Sequence, residues 1–283
     1  MTLSAQSILD FPVPQATHVV TARDAILYAL SVGYGSNALD EKALSYVYER
    51  DLVTAPTLAN IIAHPGPWMQ QTGVDWARLV HSEHRLTIHR PVPLDVRLIS
   101  RSRVLSVVDR GVEKGMFVSF ERLITTADGG EPIATIVQTN ACRGDGGCGS
   151  AGSAPEPLPK VPDGEPDIEF NVDIPANAAL IYRLNGDLNP LHVDPQAASR
   201  SGFDRPILHG LCSFGHAGYA IVAAIDPGMA TNLSAIAARF SAPIFPGERI
   251  TLQIWHNGAE IRFRGLVASR GAIILDNGLA RLS

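Results

Sequence analysis

Residues 182–195 read YRLNGDLNPLHVDP and crowd Asp187, Asn189, His192 and Asp194 around an Asn-Pro step. Asp187 and His192 lie five positions apart in a segment containing Gly186 and Pro190, so a tight turn can aim both into one pocket without a shared helix face. A carboxylate and an imidazole held together can polarise one water molecule and manage its protons, each with a pKa that burial tunes. The same residues also suit a purely structural turn, with Asp187 and Asn189 forming an Asx turn and Asp194 capping a helix that begins PQAASR. For Asp194 the capping reading is preferred; for Asp187 and His192 both readings stand.

A second stretch, RPILHGL, places Gly210 at the expected start of a long helix, where backbone N–H groups lack partners and the helix dipole is positive. An oxygen gaining negative charge would be stabilised there. His209 reads as a packed, hydrogen-bonded residue. A metal site from His192, Asp194 and His209 lacks the HExxH spacing that fixes two ligands on one helix face. No GxSxG elbow offers a serine nucleophile, Cys212 lies within an apolar run and reads as a core thiol, and no GxGxxG follows a strand.

Composition narrows the partners. The chain has 283 residues, 46% hydrophobic and 18% charged, which describes a well-buried globular protein with room for two modest domains. A net charge of −5 and the lack of Lys/Arg runs argue against nucleic acid. Cys142, Cys148 and Cys212 are too few and too irregular for a disulfide framework or a zinc site, so a reducing compartment is expected. The first twenty residues show no basic region followed by a long apolar stretch, as a secretory signal requires. The longest apolar run, Ile207–Ile225, is interrupted by His209, Ser213 and His216 and reads as a buried helix, not a membrane span.

The elements that must position these residues recur in two halves. A helical piece is expected over DEKALSYVYERD and another over TLANIIA, followed by strands HRLTIHRPV, DVRLISRSRVLSVVDRG, GMFVSFERLITTADG and PIATIVQTNACRG. After a Gly/Ser/Pro-rich stretch, the helix 207–225 precedes NLSAIAARFSAP, ERITLQIWHNG, AEIRFRGLVASRG and AIILDNGLARL. YALS at Tyr28–Ser31 can be laid on YRLN at Tyr182–Asn185, and PTL at Pro56 on PIL at Pro206. The expected organisation is therefore a first repeat over 1–149, a linker over 150–166 and a second repeat over 167–283. Each repeat is expected to wrap a curved antiparallel sheet around a long central helix, an α+β arrangement in which two sheets can join.

Tyr182, Gly186-Asp187-Leu188-Asn189-Pro190, Leu191-His192 and Ala198 together resemble the signature of the (R)-specific 2-enoyl-CoA hydratases, also called type-2 or MaoC-like hydratases. Asn185 departs from that signature, standing where the family carries a small residue. LVHSEHRL, VVDRG, CRGDGGCG and RFSAPIFPGE are similar to further landmarks of the two-repeat form. The resemblance implies a double hot-dog fold whose first repeat is degenerate and helps to bind acyl-CoA. It implies reversible addition of water to trans-2-enoyl-CoA, with Asp187 and His192 as the catalytic pair, Asn189 supporting them and Gly210 N–H holding the thioester oxygen. His81, Ser82, Arg110 and Phe240 match positions that contact the acyl-CoA; Ser82 stands where the family often has Gly. No cofactor or metal is implied, the partner is the acyl-CoA itself, and a homodimer is compatible with it. A cytoplasmic location is expected, or a peroxisomal one in a eukaryote. The alternatives are action on short or branched CoA esters and a non-catalytic acyl-CoA-binding protein.

Overall fold

The computed structural model describes residues 3–37, 39–225 and 233–282. Period-two alternation builds the strands: along β4 (Met116–Thr126), Met116, Val118, Phe120, Arg122 and Ile124 are buried on one face. Ten further strands are β1 (Ala16–Val19), β2 (Leu79–Ile88), β3 (Arg97–Asp109), β5 (Pro132–Cys142), β6 (Ala151–Gly152), β7 (Ile168–Asp173), β8 (Leu233–Phe240), β9 (Arg249–Asn257), β10 (Glu260–Val267) and β11 (Ala272–Leu282). They form one antiparallel sheet in the order β1-β3-β4-β5-β2-β8-β11-β10-β9-β7, with β6 paired to β3. The expected strand NLSAIAARFSAP corresponds to β8, and its Asn232 lies outside the described residues.

The two halves join where β2 meets β8, pairing Glu83 with Arg239 through to Thr87 with Ala235. Segment 150–166 has little regular structure but is tied down. Ser153 N–H donates to Leu105 O at 3.0 Å, Arg85 donates to Glu156 O, and Trp255 Nε1–H donates to Gly164 O at 3.1 Å.

Six α-helices are described: α1 (Ala5–Leu9), α2 (Ala22–Ser31), α3 (Glu41–Leu44), α4 (Ala178–Tyr182), α5 (Pro195–Arg200) and α6 (Gly210–Ile225). The central helix α6 is long and buried along most of its length. At the matching point of the first half stands only a six-residue 3-10 helix, Pro56–Ile61, because Ala63 takes a left-handed φ of 46° and Pro65 and Pro67 follow. The helix expected over residues 40–51 is likewise confined to α3. Tyr46 and Val47 N–H groups turn back to the third preceding carbonyl, and a Tyr-Val-Tyr run weakens the helix further.

Helix α6 can lie against the first half because two of its glycines remove side chains at the contact. A Cβ on Gly215 would sit 2.5 Å from Val32 Cγ1 and 3.1 Å from the Tyr28 hydroxyl, and one on Gly218 2.8 Å from Thr57 Cγ2. Tyr28 and Tyr182, which the internal alignment superposes, are both fully buried and meet with ring centroids 6.3 Å apart.

Two histidines are sealed in this core. His84 in β2 is fully buried, with Nε2 bonded to Asn60 Oδ1 at 2.9 Å, and burial holds its pKa well below the ordinary 6.5. His216 in α6 donates Nδ1–H to Cys212 O at 2.9 Å, and burial pushes its pKa down to about 4. Both are neutral at pH 7.

Two outcomes are expected. Replacing a helical Gly by Ala normally gains up to about 1 kcal/mol, but forcing a methyl against the stiff, buried Val32 costs about 1–3 kcal/mol. Gly215→Ala therefore lowers the urea midpoint, and a raised midpoint would show that Val32 yields. The buried histidines bind fewer protons folded than unfolded, so their stabilising effect is complete above pH 6.5 and is lost as pH falls towards 4. Each removes up to about 1.4 kcal/mol per pH unit in that window, so urea midpoints should be level from pH 7 to 8 and fall steadily below 6.5.

Candidate active site

The reactive loop leaves α4 through a single 3-10 turn, Arg183–Asn185, and breaks at Gly186, whose φ of 112° suits glycine. Three side chains then fold the loop onto itself. Asn189 N–H donates to Asp187 Oδ1 at 3.2 Å, Leu191 N–H to Asn189 Oδ1 at 3.1 Å, and Gln196 N–H to Asp194 Oδ1 at 2.8 Å. The Asx turn and the catalytic reading of Asp187 are therefore compatible. Its carboxylate is exposed and keeps a second oxygen, while Asp194 is committed to capping α5.

His192 closes a 3-10 turn, Pro190–His192, and its ring is buried. Its Nδ1 lies 2.9 Å from Ile207 O, which only accepts, so Nδ1 carries the proton and Nε2 is left with a free lone pair. His209 stacks on it with ring centroids 3.8 Å apart and donates Nε2–H to Asp187 O at 3.2 Å. Burial lowers the His192 pKa against the opposing pull of Ile207 O and the Asp187 carboxylate. Burial first, and the neighbouring His192 second, push His209 down to about 4. Two neutral imidazoles thus stand beside one carboxylate.

One ligand-type atom each from Asp187, His192 and His209 lies within 4.8 Å of the others. The trio differs from the one read in the sequence, since Asp187 replaces Asp194. His192 and His209 each donate one ring N–H to a backbone carbonyl, as metal-bound histidines also do, while His209 Nδ1 is sealed from solvent and Asp187 Oδ1 already accepts the Asn189 N–H.

Gly210 opens α6. Cys212 and Ser213 N–H groups bond back to His209 O, which leaves the Gly210 N–H without a partner among the described residues. The Phe240 ring lies 3.3 Å from where a Gly210 Cβ would stand. It meets His81 edge-on at 4.7 Å, and His81 meets His84 at 5.1 Å. Ser82 sits at a bulge between β2 and β5 that turns this part of the strand, and burial pushes the His81 pKa down to about 3.

Residues from both halves therefore meet here: Asp187, Asn189, His192 and Gly210 from the second, and His81 and Ser82 from the first, with Phe240 between them. Arg110 does not join them. It is exposed on the turn after β3, 5.5 Å over the Phe117 ring, where neighbouring Asp109 accepts N–H bonds from Gly111, Gly147 and Gly149. Asn185 donates to Ser31 Oγ at 3.0 Å and to Tyr182 O at 2.9 Å, so the departing residue ties the loop to α2.

Two further residues border the site without having been singled out. Arg205, in the RPILHGL stretch, lines a cleft of about 270 Å³ with His192, Leu180 and Pro246, and stacks 4.5 Å over Phe245. His64 is open to solvent, and its Nδ1 accepts Gly66 N–H at 3.1 Å, which leaves its proton on Nε2. A His-Pro-Gly-Pro turn was the available signal for His64.

Comparison with known proteins agrees along the whole chain. Residues 157–275 match the MaoC like domain, and residues 18–144 match the MFE-2 hydratase 2 N-terminal domain. The chain is 35% identical to 3-hydroxyacyl-thioester dehydratase Y of Mycobacterium tuberculosis over 91% of each chain. It is 33% identical to enoyl-CoA hydratase ChsH3 of the same organism, over 99% of this chain and 96% of that one. A MaoC-like dehydratase from Phytophthora capsici superposes with a TM-score of 0.85 at 28% identity, covering 98% of both chains. The fold is the double hot dog, and the chain belongs to the MaoC-like hydratase and dehydratase family.

Proposed function

We propose that the protein reversibly adds water to a trans-2-enoyl-CoA to give a (3R)-3-hydroxyacyl-CoA. The observation that carries the residue assignment is the hydrogen bond from His192 Nδ1 to Ile207 O, beside the Asp187 carboxylate. It fixes a neutral imidazole with its free Nε2 lone pair available to a water molecule, the state a general base requires.

The steps follow from polarity. The thioester oxygen accepts the Gly210 N–H, which the first turn of α6 leaves unpaired, and the α,β-double bond becomes electrophilic at Cβ. His192 Nε2 and the free Asp187 oxygen orient a water; as its oxygen bonds to Cβ, the pair takes its proton, and electrons move onto the thioester oxygen at Gly210. The pair returns a proton to Cα and the thioester carbonyl reforms. Asn189 holds the Asp187 carboxylate through its own N–H and so fixes the direction in which it acts. The thioester supplies the electrophile, so the proposed route uses no metal or redox cofactor.

His81, Ser82 and Phe240 form the wall next to Gly210, where the acyl portion lies. Arg205 and Arg110 offer exposed guanidinium groups to the phosphates of coenzyme A. No described helix is long and apolar enough to cross a membrane. Three unpaired cysteines support a cytoplasmic or other reducing location, and assembly as a homodimer is part of the proposal.

Two measurements test this reading. Loss of enoyl absorbance with crotonyl-CoA should be rapid and yield the (3R) alcohol. Asp187→Asn and His192→Gln should each lower kcat about 10²–10⁴-fold with circular dichroism unchanged, and wild-type turnover in either would remove that residue from the mechanism. Because the His192 pKa is lowered, the acid limb of kcat/KM should lie below pH 6.5. A limb at or above 6.5 would mean that the imidazole is not the base.

A further inference from the structure

The inward face of the first half is not uniformly apolar. One core cluster there contains Leu86, Ile124 and Ile136, and a second contains Trp68, Val104, Val118 and Phe120. Between them runs a polar seam. Arg122 on β4 pairs in register with Ser102 on β3, and His84 on β2 lies opposite Gln138 on β5. Asn60, fully buried in the 3-10 helix above the sheet, accepts Arg122 Nη2–H on its carbonyl at 2.7 Å and bonds His84 through Oδ1.

Arg122 is the anomaly in this seam. It is 97% buried by accessible area, its exposure being 3%, and no carboxylate within ion-pair distance accompanies it among the described residues. Burial lowers its pKa only to about 10, so it remains a cation at pH 7. Its Nη1, the Ser102 hydroxyl and His84 Nδ1 are all sealed and without partners. A buried, half-bonded charge is costly unless something completes it. No described residue supplies the missing negative charge.

The seam also connects to the reaction centre. Phe240 touches Gly210, His81 touches Phe240, His84 touches His81, and Asn60 and Arg122 follow by hydrogen bonds. His64 is open to solvent, with a donor on Nε2. A run of four side chains, Phe240, His81, His84 and Asn60, therefore links Gly210 to Arg122.

We propose that this seam is a subsite for an anionic oxygen group, a carboxylate, on the distal part of the acyl chain, with Arg122 as its cation. The inference rests on the hydratase reading and narrows its substrate class to enoyl-CoA esters bearing a second carboxylate. A guanidinium can meet both carboxylate oxygens, and the terminal group then completes Arg122. Chains ending in methyl leave the cation uncompensated.

The test is equilibrium binding, which does not depend on turnover. Calorimetry with saturated medium-chain acyl-CoA and its ω-carboxylate counterpart of equal length should show the carboxylate binding at least 10-fold more tightly to the wild-type protein. Arg122→Met should abolish or reverse that ratio, and Arg122→Lys should retain part of it. If Arg122→Met does not fold, the wild-type ratio and the lysine variant decide. Equal affinity, or tighter binding of the methyl-terminated ligand by the wild type, overturns the subsite. A preserved carboxylate preference without hydration of crotonyl-CoA would instead overturn the hydratase reading and leave the subsite standing.

Discussion

Five antiparallel residue pairs between β2 and β8 are the constraint on which the rest depends. They make one sheet of two halves and bring a strand carrying His81 and His84 alongside one that ends in Phe240. Without that seam, the unpaired N–H at the start of α6 would face no wall from the first half. The glycines of α6 serve the same constraint, since the helix must approach Val32 and Thr57 closely for its first turn to stand over the junction.

Around that junction the chemistry is set by which groups are denied charge. His81, His84, His192, His209 and His216 are all held neutral, principally by burial. Backbone carbonyls then choose their tautomers: Ile207 O for His192, Asp187 O for His209, Cys212 O for His216. A neutral imidazole next to a carboxylate is a proton acceptor, whereas an imidazolium in the same place would only be an ion-pair partner. Desolvation thus keeps the site's imidazoles in the proton-accepting form, and two carbonyl oxygens, of Ile207 and Asp187, set which nitrogen carries the proton.

Much of the arrangement was legible in the sequence because it is local. The Asp187–Asn189 turn, the Asp194 cap and the start of α6 at Gly210 all follow from residue types within a few positions of one another. The strands were legible through their alternation, and the joining of two sheets through the repeated order of elements. Three features were not. The shortening of the first central helix depends on Ala63 adopting a left-handed conformation before a Pro-Gly-Pro turn, which helical spacing does not report. His209 reads as packing until its ring is seen against His192, and Arg122 reads as an ordinary strand charge until the register puts it on the inward face. The first is a backbone conformation that residue type does not fix, and the other two are long-range contacts, which leave no periodic trace.

The six-residue 3-10 helix at Pro56–Ile61 has a consequence for how such a chain can change over time. Where the second half fills its concavity with sixteen residues of helix, the first covers the same surface with a short turn, so its lining is supplied mostly by β2, β4 and β5. Substitutions there can alter the accepted acyl group while the reacting loop keeps its own hydrogen bonds, because among the described residues the loop's side-chain bond to the first half is Asn185 to Ser31 on α2, away from these strands. Turnover and acyl selection are in this way carried by separate parts of one sheet.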